Sequence, residues 1–274
     1  MGFYFAYCSL LVLRLLLQHM LYTLKKSLGQ HFLKDENISR KIVDALVHTI
    51  SETNIINVVE VGPGAGAITK YILQLNDIDF KAVELDDEKV QYLQHTYPAL
   101  KNKIIHKSFL DVDAPYETPF LVIGNFPYNI STQIVFKVLD WKDQVPVMIG
   151  MFQKEVAQRI ASKPGSKVYG IMSVLTQAFY NVEYLFDVPP DSFNPPPKVM
   201  SGVIKLVRRT DKVAVKSERA FLVLVKAAFN QRRKTLRNAT RSLFTEDVLK
   251  DEIFNKRAEQ LSIEDFAALT FKMQ

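Results

Sequence analysis

The stretch VVEVGPGAGAITK, residues 58–70, decides the fold. An apolar run reaches Gly62, Gly64 and Gly66, and a helical pattern follows. Glycine lets a backbone turn sharply and approach a ligand with no Cβ in the way, and the first turn of the next helix offers unpaired N–H groups. The same alternation continues along the chain. IINVVEV (55–61) precedes a helix through Tyr71 and Leu75, DFKAVEL (79–85) a helix over 87–95, and FLVIGN (120–125) a helix over 130–141; KNKIIH (101–106) is a further strand, and VPVMIGMF (145–152) leads into QKEVAQRI. Short continuous apolar strands separated by helices predict an open α/β domain with a mostly parallel sheet covered on both faces. A helix over 168–180 and two β-like runs, VEYLFDV and KVMSGVIKLV, come next, bracketing the proline-rich PPDSFNPPPK. Beyond about Arg209 only helical periodicity remains, which predicts a boundary there and a small helical domain at 210–274.

Bulk composition narrows the class. The chain has 274 residues, 48% of them hydrophobic, enough for one large core and a smaller domain. Its net charge of +6 is compatible with a polyanionic partner without requiring one. A single cysteine, Cys8, excludes an intrachain disulfide framework and a multi-cysteine metal site, and no H-E-x-x-H spacing occurs, so no metal is expected. The first 24 residues are strongly apolar, yet Arg14 interrupts them, no basic region precedes them and no small-residue cleavage site follows. A mis-called start with Met20 as initiator, or an extra helix packed on the body, fits this segment better than a signal peptide or membrane anchor.

The glycine loop points to a nucleoside cofactor. Glu84 ends the second strand run, where a carboxylate can accept both hydroxyls of a ribose. Dinucleotide sites favour G-x-G-x-x-G, whereas the spacing here is G-x-G-x-G, which leans toward S-adenosylmethionine (SAM) without excluding a dinucleotide.

The fourth strand ends in NFPYNIS, residues 125–131. An asparagine followed by aromatic, proline and aromatic resembles the SAM-dependent methyltransferases that act on adenine N6. An exocyclic purine amine is a poor nucleophile because its lone pair is delocalised into the ring. If the Asn125 side-chain carbonyl and the Phe126 backbone carbonyl each accept one amino hydrogen, the nitrogen is drawn toward tetrahedral geometry. Pro127 fixes the backbone, and Tyr128 can stack on an unstacked base.

KKSLGQHFLKD (25–35), EVGPGAG (60–66), NFPYNIS (125–131), FNPPPKV (193–199) and FNQRRKTLRN (229–238) together resemble the KsgA-type small-subunit ribosomal RNA adenine dimethyltransferases, in family order over about residues 25–270. The resemblance implies a Rossmann-like SAM-dependent methyltransferase domain with a seven-stranded sheet at 25–209 and an RNA-binding all-α domain at 210–274. It implies a SAM site of His31, Leu33, Gly62, Glu84, the position held by Ser108, and Asn125, with Phe193 opposite Tyr128 so that the target adenine lies between two rings. The implied activity is N6,N6-dimethylation of two adjacent adenosines in the 3′-terminal hairpin loop of small-subunit (16S) rRNA. The expected setting is an immature 30S subunit in the cytoplasm, and the expected protein is a monomer with no membrane association. One position departs from the family pattern: an aspartate is usual where KSFLD places Lys107 and Ser108. A neutral hydroxyl accepts more weakly than a carboxylate, so weaker SAM binding with activity retained is expected, with Asp111 a candidate substitute.

KAAFNQRRKTLRNATR (226–241) holds six basic residues and no acid. As one helix it would align Lys226, Arg233, Arg237 and Arg241 beside an apolar stripe of Leu222, Phe229, Leu236 and Leu243. Lys226, Arg232, Arg233, Lys234, Arg237 and Arg241 are thereby candidates for RNA phosphates, and SKPGSKVYG (162–170), with Lys163, Lys167 and Tyr169, reads equally as an extension of that path or as a plain surface loop. The competing readings are a large-subunit RNA methyltransferase, a non-catalytic assembly or transcription factor on the same scaffold, and a nicotinamide dehydrogenase.

Overall fold

In strand β2 (Asn57–Val61) every residue after the first is buried, and its side chains alternate between two apolar cores. Val58 joins Ile42, Leu46, Phe80 and Leu121 on one face, while Val59 and Val61 join Val122, Ile134 and Met148 on the other. A strand buried on both faces shows no apolar–polar alternation, and this explains why its sequence reads as an apolar run interrupted by Glu60 alone after Asn57. The computed structural model describes residues 31–274, so the apolar segment 1–24 and the KKSLGQ stretch lie outside the described residues.

Around β2 the chain builds β1 (Phe32–Leu33), α1 (Glu36–Thr53), α2 (Thr69–Ile72), β3 (Asp79–Glu84), α3 (Asp87–Thr96), β4 (Ile104–His106), β5 (Leu121–Asn125), α4 (Ser131–Asp140), β6 (Val147–Gln153), α5 (Lys154–Ala161) and α6 (Ile171–Gln177). Strands β7 (Tyr180–Val188), β8 (Phe193–Asn194) and β9 (Ser201–Arg208) follow, then α7 (Glu218–Asn230), α8 (Leu236–Ala239) and α9 (Ile263–Thr270), with short 3₁₀ turns between the last helices. The seven-stranded sheet has the order β4-β3-β2-β5-β6-β9-β7, and β9 alone runs against its neighbours. Strand order reverses between β2 and β5, which creates the crevice where open α/β sheets bind ligands. Helix α1, absent from the sequence reading, is capped by Asp35 accepting from the Asn37 and Ile38 amides and stopped by Asn54 at φ 56.

Two differences from the expected elements have local causes. The helix expected over 168–180 is confined to Ile171–Gln177, because Tyr180 already pairs with Arg208. The helix expected through Leu75 ends at Ile72 and gives way to turns. Residues 210–274 carry no strand, but their core is shared: Phe221, Leu224, Val225, Leu236 and Phe266 cluster with Tyr169, Val174 and Leu175.

At the crevice, the paired residues Gly124 and Gly150 make a notch for the Phe126 ring, which is 1% exposed. A Cβ built on Gly150 would stand 2.2 Å from the Phe126 ring, and one on Gly124 would stand 2.7 Å from it. Gly150→Ala should therefore destabilise the protein by about 1–3 kcal/mol, the usual cost of overfilling a packed core, read as a lower urea midpoint at unchanged slope.

Candidate active site

Gly62, Gly64 and Gly66 adopt φ values of 67°, 60° and 83°, a region that favours glycine. The turn is tied down by Gly62 N–H donating to the Val83 carbonyl (2.9 Å) and Gly66 N–H to the Pro63 carbonyl (2.8 Å). A Cβ on Gly66 would meet the Tyr97 ring at 2.5 Å. Glu84, at the end of β3, is buried, and its carboxylate accepts from the amides of Gly64 (3.2 Å), Leu85 (2.9 Å) and Asp86 (3.0 Å). The carboxylate and the loop thus hold one another. The helix behind the loop is the single turn α2, so loop amides outweigh the extended helix N-terminus that the sequence suggested.

The cleft has two lobes that meet at Gly62 and Pro127. One is lined by His31, Leu33, Glu60, Asn125, Phe126 and Tyr128. The other is lined by Glu84, Asp86, Lys107, Ser108 and Ile130. Every residue predicted for the cofactor faces one lobe or both, and the NFPY residues share a lobe with His31 and Leu33. Asn125 Nδ2 donates to the His31 carbonyl at 3.3 Å, which sets the orientation of its side-chain amide. The turn after it is held by Ile130 N–H to Pro127 O (3.2 Å) and Ser131 Oγ–H to Tyr128 O (3.1 Å).

Phe193 lies elsewhere. It is 1% exposed, packed with Leu33, Val188 and Val203, and absent from the cleft lining. The pairing of β1 with β8 sets Phe193 opposite Leu33, and both side chains are buried, Leu33 at the wall of the first lobe. That pairing, with a 2.8 Å contact between His31 Nδ1 and the Pro195 carbonyl, brings His31 beside Tyr128, ring centroids 5.6 Å apart. The expected pairing of Tyr128 with Phe193 is replaced here by His31.

A family model described as ribosomal RNA adenine dimethylase matches residues 22–273. The chain belongs to the ribosomal RNA adenine dimethylase family. It is 51% identical to ribosomal RNA small subunit methyltransferase A of Cytophaga hutchinsonii, over 90% of this chain and 95% of that one. The protein of the same name from Flavobacterium johnsoniae is 52% identical over 91% of this chain and 95% of its own length. In fold the chain is similar to the crystal structure of a dimethyladenosine transferase from Plasmodium falciparum, with a TM-score of 0.71, 24% identity and coverage of 86% and 94%. A methyltransferase fold of this family therefore carries the cleft described above. Among the described residues no helix is long and apolar enough to cross a membrane.

Within this adenine dimethylase family member, Ser108 accepts from the Leu110 amide at 3.2 Å while facing the second lobe. Asp111 is exposed and lines neither lobe, so it is not placed to substitute for the missing carboxylate. Asp86, which the sequence reading passed over, is buried in that lobe and accepts from the Glu88 amide (3.0 Å) at the head of α3.

The basic stretch is not one helix. Helix α7 ends at Asn230, QRRK forms a turn, and Thr235 opens α8. Four consecutive polar side chains offer nothing to bury, whereas a turn lets Leu236 reach the helical core, its amide donating to the Lys256 carbonyl (2.7 Å). Arg232 folds back to donate to the Lys167 carbonyl and lies 3.7 Å from Glu259, Arg237 donates to the Leu249 carbonyl (3.0 Å), and Arg241 pairs with Glu246 (2.8 Å). Lys226, Arg233 and Lys234 are exposed. Of the neighbouring loop, Tyr169 is buried in the helical core and does not face outward with Lys163 and Lys167.

Glu60, a carboxyl within the apolar run of β2, lines the first lobe and is 1% exposed. Burial pushes it up to about 8, the nearby Glu84 adds to the effect, and a 2.6 Å bond from the Thr69 hydroxyl opposes it. The folded chain therefore keeps a proton that the unfolded chain releases above the ordinary value of 4.5. The resulting stability is complete below that value and is lost as pH rises toward about 8. Glu60→Gln, which retains an acceptor for Thr69, should flatten this dependence and give a Tm on the order of 5 °C above wild type at pH 8, checked by thermal scans without ligand at pH 5 and pH 8.

Proposed function

We propose that this protein dimethylates N6 of two adjacent adenosines in the 3′-terminal hairpin loop of small-subunit rRNA, using SAM, on an immature 30S subunit in the cytoplasm. The observation that carries this reading is the meeting of two lobes at Gly62 and Pro127, which joins the Glu84-held glycine loop to Asn125 and Tyr128. The residues fit SAM: three glycines at positive φ form a cradle that side chains would strain, and a carboxylate stands ready for ribose hydroxyls. Gly62 and Gly64 would hold the cofactor through the backbone, Glu84 its ribose, Ser108 its adenine amine, and His31, Leu33 and Asn125 its remaining part. Bound SAM supplies an electrophilic methyl group on a positively charged sulfur.

The protein's own part is positioning. With its Nδ2 engaged by the His31 carbonyl, Asn125 turns its Oδ1 to accept one hydrogen of the target amine. The Phe126 carbonyl accepts the other, the ring behind it being fixed in the glycine notch. Tyr128 supplies a stacking face, worth roughly 1–3 kcal/mol for a base. The amine proton is acidified once the fourth bond forms and leaves to water, so no strong base is needed. The chain acts as a monomer. Exposed Lys226, Arg233, Lys234, Arg237 and Arg241 serve RNA phosphates, while Arg232 folds back on the 162–170 loop.

Mass spectrometry of the 3′-terminal RNA fragment tests the activity, after incubation of the protein with unmethylated small subunits and SAM. Two adjacent dimethyladenosines are expected, with Asn125→Ala slowing their formation by about 10²–10³-fold. An unmodified fragment from a protein that binds SAM would redirect the reading to large-subunit RNA, and absence of SAM binding would support a non-catalytic role. Ser108→Asp should tighten SAM binding by about three- to tenfold in calorimetry, since a carboxylate accepts more strongly than a hydroxyl.

A further inference from the structure

Ser201 is the first residue of β9 and is completely buried. Its backbone is fixed from both sides, paired with Gln153 of β6 and Val188 of β7. A buried hydroxyl without a partner is costly. Its partner is the Tyr128 hydroxyl, 2.5 Å away and 73 residues distant in sequence. Burial holds the Tyr128 phenol above the ordinary tyrosine range, so the ring carries its proton at neutral pH and the pair always has a hydrogen to share.

We infer that Ser201 is a positioning residue for the target base, acting through Tyr128: its hydroxyl tethers the far end of the ring and fixes the plane on which the adenine stacks. A tyrosine ring has two side-chain torsions, so its direction is open unless both ends are held. The near end is held by the 127–131 turn, whose Ser131 hydroxyl bonds the Tyr128 carbonyl (3.1 Å). The far end is held by the sheet through Ser201. His31, tilted 33° to the ring, stands alongside without bonding the hydroxyl. The tether also links the two segments around the cleft, because the FNPPPKVM loop that supplies Pro195 to His31 runs directly into Ser201. A fixed plane matters most for the second transfer, when an amine already carrying one methyl must return to the same orientation beside Asn125.

This inference rests on the function proposed above, and a double-mutant cycle separates the two. Ser201→Ala, Tyr128→Phe and the double variant are assayed on unmethylated small subunits, with SAM affinity measured separately. Each single change is expected to lower kcat/KM for the subunit about tenfold, as for loss of one buried hydrogen bond, and the double variant to lose about tenfold rather than about a hundredfold. SAM affinity should stay within about twofold, and monomethyladenosine should accumulate in all three. Multiplying losses, unchanged kcat/KM in either single variant, or an unchanged ratio of mono- to dimethyl product would overturn the tether. Should Ser201→Ala fail to fold, Tyr128→Phe, which keeps the ring, decides alone: an unchanged kcat/KM or an unchanged ratio of mono- to dimethyl product would overturn the tether. A wild-type protein that methylates no subunit would count against the proposed function. In that event additive urea midpoints in the same cycle would reject the tether too.

Discussion

The ring of Phe126 enters the sheet where Gly124 and Gly150 stand side by side without side chains, and the backbone around it has little choice left. With that ring turned into the core against Phe152, the chain leaves β5 by a sharp turn. Asn125 then faces the cleft, and Pro127 comes within van der Waals range of where a side chain on Gly62 would project. The glycine loop and the NFPY turn are thus mutually dependent: Gly62 presents bare backbone to the Pro127 ring, and the two lobes of the cleft meet there. Small residues on adjacent strands set the geometry that polar residues then exploit.

Two carboxyls in the adjoining strands β2 and β3 illustrate how burial and hydrogen bonding act in opposite directions. Glu84 accepts from three backbone amides and serves as a strut for the loop. Glu60, almost equally hidden, has one hydroxyl donor and keeps its proton to about pH 8. The nearby Glu84 adds to the cost of a charge on Glu60, and the Thr69 hydroxyl and amide offset only part of it. The first lobe thereby carries a carboxyl whose proton responds to whatever binds beside it.

Much of this was legible in the residues. The apolar runs of β2, β5 and β6 are buried on both faces and show no helical stripe, and glycines at alternate positions mark a tight loop. The legible features share a local cause. What escaped was set by distant partners. Strands β1 and β8 have two residues each, too few for any period to show, and their pairing is what removes Phe193 from the cleft and installs His31. The basic stretch has helical spacing throughout, but Arg232 finds carbonyls in the 162–170 loop and Leu236 finds the helical core, so tertiary contacts override propensity. Glu60 was visible as a carboxyl in an apolar strand, a pattern that by itself signals a buried titratable group.

The position of β9 has a consequence for synthesis. As the chain emerges, β2 to β6 can assemble into a parallel sheet, but β6 then presents an open edge of Val147, Met148, Ile149 and Met151 until β9 arrives. Roughly 50 residues separate the two strands, which at about 5–20 residues per second leaves that edge uncovered for on the order of several seconds. An exposed, apolar strand edge is a template for pairing with another chain. Crowded nascent copies on one message would therefore be most prone to misassociate during this interval, and β7, placed outside β9, closes the sheet only after the ribosome has moved past both.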